Sequence, residues 1–295
     1  MESVLPSPPR LYYLSDTHHE LMKDRVSQQI NVKIDEDYAG KRYLALCGDI
    51  GSPFQSNYES FIRRHAERFD HVFIVTGNHE YYTSKSKQRT IAETDARTKE
   101  IADGLANVSF LQCDSVMVDD ILFVGCTLWS KVSGEAEYLM NDYRRIFVNN
   151  GINEDRLTYE TQGTRRKRIY LRAGKSRLKA SEVHESHLKM RAYLKETLRT
   201  TKAEKVVVLT HHAPTMEMLS PLTPSLAANP IEMMTRTCYA SDCDDLFVPP
   251  VVCWVSGHTH RCVDDVKING IPSVSNCMGY RGEKTGVCME KYIEI

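Results

Sequence analysis

Five apolar runs in this 295-residue chain end in side chains able to hold a metal ion. Asp16-Thr17-His18 follows RLYYLS, and Gly48-Asp49 follows YLALC. Gly77-Asn78-His79-Glu80 follows HVFIVT, His211-His212 follows KVVVLT, and Gly257-His258-Thr259-His260 follows VVCWVS. Carboxylate, imidazole and amide oxygen without thiolate suit Mn²⁺, Fe or Zn²⁺ and argue against a soft cysteine site. His258 and His260 stand two residues apart, on the same side of an extended segment, which suits chelation. Each motif alone has a plainer explanation. A Gly-Asp after a strand is commonly only a turn, and adjacent histidines can be a satisfied surface pair. Five such motifs at strand ends of one chain are harder to dismiss, because ligands gather where the carboxyl ends of strands converge.

The elements that must position these residues are legible as short runs rich in Val, Ile, Tyr and Phe, the pattern of buried strands. Val116–Leu128 reads as a hairpin turning at Asp119-Asp120, and Val263–Cys277 as a final pair of strands. Tyr58, Phe61, Ile62, Ala66 and Phe69 form one helical stripe. Ile91, Thr94, Thr98, Ile101 and Leu105 form a second, and Met190, Leu194 and Leu198 a third. Alternating strands and helices followed by hairpins predict an α/β layered domain with a mixed sheet. Residues 138–189 break this rhythm, with no convincing strand, and read as an insertion or cap on a single domain spanning 1–295. Within it, Gly163–Lys179 carries eight basic residues and no acid.

Composition narrows the function classes. Lys+Arg total 38 and Asp+Glu 39, a net charge of -1, which argues against a chain devoted as a whole to nucleic acid or an anionic membrane. The basic run is the one local argument for nucleic acid, and charge runs are usually solvated faces. Nine cysteines, with no C-x-x-C spacing, read as thiols of a reducing compartment, Cys47, Cys126 and Cys253 being buried. Met1–Arg10 lacks the apolar stretch of a secretory signal, and no apolar run approaches the roughly 20 residues of a membrane span. These features predict a soluble, cytoplasmic protein.

The ordered set D-x-H, G-D, G-N-H-E, H-H and G-H-x-H resembles the calcineurin-like metallophosphoesterases. That resemblance implies a four-layer α/β/β/α sandwich around two divalent metal ions, Mn²⁺ foremost, with Fe, Zn²⁺ or Mg²⁺ as alternatives. Asp16, His18 and His260 would hold one ion, Asn78, His211 and His258 the other, and Asp49 would bridge them. His211 is preferred to His212 because it follows directly from its strand. The implied activity is hydrolysis of a phosphate mono- or diester by a metal-bridging hydroxide, with His79 as general acid. Many relatives carry an acid or His three positions after the Gly-Asp aspartate. The stretch Asp49-Ile50-Gly51-Ser52-Pro53 has none, so Glu80 or a residue from elsewhere must orient His79.

On the substrate side, Tyr81 and Tyr82 follow the third motif and are candidates to stack on a base or phenyl ring, or else to pack in the core. Arg144, or its neighbour Arg145, is a candidate for a phosphate. Trp129 and Asn141–Arg145 are candidates to roof the site, and Asn276–Tyr280 to contact it. Two other readings use the same fold: a non-catalytic interaction scaffold, and a nuclease using the basic insert.

Overall fold

The computed structural model describes residues 7–84, 86–151, 156–162 and 165–295, with the backbone alone for 156–162 and 165–170. The apolar runs form strands buried on both faces, and these assemble into two sheets. In the first sheet β1 (Arg10–Leu14), β2 (Arg42–Cys47), β3 (His71–Val75) and β4 (Val108–Phe110) run parallel. In the second, β5 (Asp114–Val118) turns back at Asp119-Asp120 into β6 (Ile121–Cys126), the hairpin expected there. The chain returns to this sheet with β11 (Lys205–Thr210), β12 (Val251–Ser256), β13 (Cys262–Ile268) and β14 (Ile271–Asn276). Strands β6, β11, β12 and β14 are parallel, with β5 and β13 antiparallel at the edges. A last strand, β15 (Tyr292–Glu294), pairs antiparallel with β1.

Side-chain alternation along the strands makes the layers. Leu11, Tyr13, Tyr43, Ala45 and Phe73 point to one side and pack with Phe123, Val207, Leu209 and Val255 of the second sheet. Tyr12, Leu14, Leu44, Leu46 and Ile74 point to the other and meet Phe61 and Ile62 of the helix Ser56–Ala66 and Ile101 of the helix Ile91–Asp103. On the far side of the second sheet, Val124, Val206, Val208 and Trp254 are covered by Leu194 and Leu198 of the helix Ala180–Thr200. All three expected helical stripes therefore face sheets. The order is helix, sheet, sheet, helix, a four-layer α/β/β/α sandwich. Thr90 starts the helix Ile91–Asp103 with a capping box, its hydroxyl accepting from the Glu93 N–H while Glu93 accepts from the Thr90 N–H.

Residues 138–189 differ from expectation, because they hold strands. β7 (Phe147–Asn149) pairs with β10 (Lys175–Arg177), and β8 (Arg156–Gln162) pairs in full register with β9 (Arg165–Leu171). These are isolated two-stranded ribbons rather than buried central strands, so no continuous apolar run marks them in the sequence. The side chains of residues 163–170, with four of the eight basic residues of the run, lie outside the described residues. Among the described residues, no helix is long and apolar enough to cross a membrane. All nine cysteines are free, and Cys47, Cys126 and Cys253 are buried.

Candidate metal centre

The carboxyl ends of β1, β2, β3, β11 and β12 meet at one place between the sheets, and all five motifs arrive there. Asp16, His18 and His260 bring ligand atoms within 4.8 Å of one another, as do Asp49, His211 and His258. Asn78 joins the second group, its Oδ1 standing 3.1 Å from His211 Nε2. The backbone is strained at this place. Asp16, His18, Asp49, His258 and His260 all take positive φ, between 50° and 66°, a region that costs non-glycine residues energy and clusters at functional sites.

The motif glycines permit the convergence. A Cβ on Gly48, whose φ is +84°, would stand 2.6 Å from His211 Cγ. A Cβ on Gly77 would collide with Asp49 Oδ1 and stand 2.7 Å from His211 Cε1. Only a residue without a side chain lets the backbone pass this close to the ligands.

Hydrogen bonds fix the face each ligand offers. His211 Nδ1 lies 2.9 Å from the Cys47 carbonyl, which can only accept, so the neutral ring keeps its lone pair on Nε2. That Nε2 faces His258 Nδ1 at 3.2 Å and Asp49 Oδ1 at 3.4 Å. His260 Nδ1 lies 2.6 Å from Glu283 Oε2, which turns Nε2 toward His18 Nε2 at 3.2 Å and Asp16 Oδ1 at 3.5 Å. Asp142 accepts from Asn78 Nδ2 at 2.9 Å and so aims the amide oxygen at His211. The adjacent His212 instead directs Nδ1 to the Thr127 carbonyl, outside both groups.

The electrostatics call for a cation. Burial, with Glu80 and Asp16 nearby, pushes the Asp49 carboxyl well above its usual range. Burial likewise drives His211 down to about 4, keeping it a neutral ligand. Burial opposes charge on His260 as well, yet its hydrogen bonds to Asp16 and Glu283 raise its pKa. Paired ring nitrogens facing each other over buried carboxylates are what a divalent cation relieves, and the oxygen-and-nitrogen donor set fits such an ion.

His79 has its own orienting carboxylate. Glu20 Oε1 lies 2.9 Å from His79 Nδ1 and 3.2 Å from His18 Nδ1. Burial works against charge on Glu20, but its bonds to His18 and His79 hold it down to about 2. Glu80, the nearer candidate in sequence, is occupied elsewhere. It accepts the backbone N–H groups of Asp49, Ile50 and Gly77 at 3.0, 2.8 and 2.8 Å, pinning two motif loops together. His79 Nε2 faces the Tyr280 hydroxyl at 3.0 Å.

Beside the centre opens a cavity of about 410 Å³, lined among others by Asp49, His79, Tyr82, Asn141, Tyr239 and Tyr280. Tyr82 and the two segments around Asn141 and Tyr280 thus line the cavity. Tyr81 does not. It is fully buried, its hydroxyl donates to Asp95 at 2.7 Å, and its ring stacks on Trp129, so both aromatics belong to the core. Arg144 does not line the cavity either, and its Nη2 donates to the Tyr138 carbonyl. It is Arg145 that lies over the Tyr82 ring, 4.7 Å from its centroid. Sequence reasoning missed Glu20 and Glu283, and gave Asp142 only as part of the Asn141–Arg145 roof, not as the group that orients Asn78. Glu20 had a usable signal, standing two residues after His18 in D-x-H-x-E, whereas the other two enter from segments remote in sequence.

Comparison with known proteins agrees with this fold. A protein of Acanthamoeba polyphaga mimivirus, named only as uncharacterized, is 26% identical over 292 residues, covering 97% of this chain and 96% of its own. The crystal structure of phosphopantetheinyl hydrolase from Mycobacterium tuberculosis superimposes with a TM-score of 0.60 at 16% identity. That match covers 99% of this chain and 97% of the other, and it attests the shared fold. The model of the calcineurin-like phosphoesterase family matches residues 9–262, which takes in every motif described above, and the chain belongs to that family.

Proposed function

We propose that the protein is a metal-dependent hydrolase of phosphate mono- or diesters. Asp16, His18 and His260 would hold one divalent ion, Asn78, His211 and His258 a second, with Asp49 shared between them. When bound, such a pair supplies a water activated at neutral pH and stabilises charge on the phosphoryl oxygens. The remaining roles fall to the chain. Burial lowers the His79 pKa, Glu20 opposes that fall while holding the ring by Nδ1, and Nε2 would be the atom that delivers a proton to the leaving oxygen. Asp142 keeps Asn78 and Tyr82 in place through one carboxylate oxygen, at 2.9 and 2.5 Å.

One observation carries this reading: the two ligand groups and the His79–Glu20 pair open together onto a single cavity. Purified protein supplied with Mn²⁺ is expected to hydrolyse aryl phosphate monoesters or diesters and to lose that activity to a chelator. Hydrolysis of neither class, across Mn²⁺, Zn²⁺, Fe and Mg²⁺, would overturn the proposal.

A further inference from the structure

A second cavity, of about 200 Å³, adjoins the one at the metal centre, and His79 and Tyr82 line both. Its wall carries Lys87, Arg89 and Arg145. Among the described residues none of these three forms an ion pair with a carboxylate. Aromatic rings hold the two guanidinium groups by their faces: Arg89 lies 3.4 Å from the Phe54 centroid and Arg145 4.7 Å from that of Tyr82. A guanidinium stacked in this way keeps its N–H edge free for a planar or tetrahedral acceptor. The one acid in the wall, Glu20, is committed through Oε1 to His18 and His79. The wall also carries Thr83, whose Oγ1 is buried without a protein partner.

We infer that this cavity binds a second phosphate carried by the leaving alcohol of the substrate. The inference rests on the phosphoesterase reading, in which the leaving alcohol lies against His79, a residue that lines both cavities. Three cations against the single carboxylate of Glu20 leave the wall doubly positive, which matches a phosphate dianion better than a monoanion. The substrate class is then an ester with two phosphates, one at the metal centre and one among Lys87, Arg89 and Arg145. The Arg145–Tyr82–His79 stack links the two places, the rings of Tyr82 and His79 being 4.1 Å apart.

The test uses matched substrates: butyl phosphate and butanediol bisphosphate, each also as its methyl diester, with Mn²⁺ supplied. The expected kcat/KM favours the doubly phosphorylated member by about tenfold or more, the effect of one or two charge-assisted hydrogen bonds. In the Lys87→Ala/Arg89→Ala variant that ratio falls toward one. A second readout needs no turnover. Butyl phosphate titrated into chelator-treated protein should bind about tenfold more weakly to the variant than to the wild type. Equal rates for both members, unchanged in the variant, would overturn the subsite and leave the phosphoesterase reading intact. Hydrolysis of neither member nor of an aryl phosphate with any of the four metals would remove the reading and the inference with it; if the aryl ester alone is cleaved, equal butyl phosphate binding by variant and wild type would overturn the subsite.

Discussion

The carboxylate of Glu20 reaches two histidines with one oxygen, His79 Nδ1 at 2.9 Å and His18 Nδ1 at 3.2 Å. It joins the candidate proton donor to a candidate metal ligand, so a change at either is felt at both.

This linkage predicts how Glu20→Gln behaves. The amide oxygen can still accept from Nδ1, but the charge that favours the imidazolium is gone. The rate should fall about tenfold to a hundredfold for alkyl phosphates, whose leaving oxygen needs the proton, and much less for nitrophenyl phosphate. Parallel kcat measurements on the two esters check this. Equal losses on both would mean that Glu20 acts through the metal centre rather than through His79.

Asp142 predicts a different phenotype. Removing its carboxylate in Asp142→Ala frees the Asn78 amide and the Tyr82 hydroxyl together. Metal affinity should drop by about 10- to 100-fold, as for other groups that orient a ligand. Calorimetric titration with Mn²⁺ measures it, and an unchanged affinity would exclude Asn78 from the ligand set.

The close approach at Gly77 yields a prediction about space. Gly77→Ala drives a methyl group into Asp49 and His211, and should cost about 1–3 kcal/mol of stability along with bound metal. Gly134, which has nothing within 4 Å of where its Cβ would be, is the control, and Gly134→Ala should stay within about 0.5 kcal/mol of wild type. Denaturant titration of the two variants tests the contrast.

Away from the site, His65 predicts a pH dependence of stability. It is fully buried, with Nδ1 2.8 Å from the Phe61 carbonyl and Nε2 accepting the Val32 N–H at 3.1 Å, an arrangement that requires the neutral ring. Burial holds its pKa at about 4 against 6.5 for a free imidazole. The unfolded chain therefore takes up this proton at a higher pH than the folded one. Stability is full above about pH 6.5 and declines as pH falls toward 4, by up to about 3 kcal/mol from this residue. Unfolding free energies at pH 7 and pH 5 should differ less in His65→Gln than in wild type. Identical slopes would contradict the assignment.

The parts of the molecule that sequence made legible are those written in local pattern. Strands such as KVVVLT and VVCWVS are buried on both faces, so apolar runs mark them and the polar residues at their ends stand out. The motif residues Asp16, Asp49, Asn78, His211, His258 and His260 gather as their order implied. What stayed hidden depends on tertiary arrangement. Tyr81 and Tyr82 are neighbours with the same chemistry, yet the turn at His79–Tyr81 sends the first into the core and leaves the second on the cavity. Glu283 meets His260 from 23 positions away and Asp142 meets Asn78 from 64, distances over which no periodicity carries information. The ribbons within 138–189 escaped for the opposite reason. Their ladders join short strands two by two, so no long apolar run marks them in the sequence.

On the proposed reading, the converging Asp, Asn and His side chains hold a metal centre that performs phosphate-ester hydrolysis. Elemental analysis of wild type and Asp49→Asn after Mn²⁺ loading and desalting, paired with hydrolysis of an aryl phosphate by the same samples, tests it most directly. About two ions per wild-type chain are expected, with joint loss of metal and activity in the variant. Wild-type protein that hydrolyses the ester at full rate with no bound metal, or an Asp49→Asn variant that keeps both metal and rate, would contradict it.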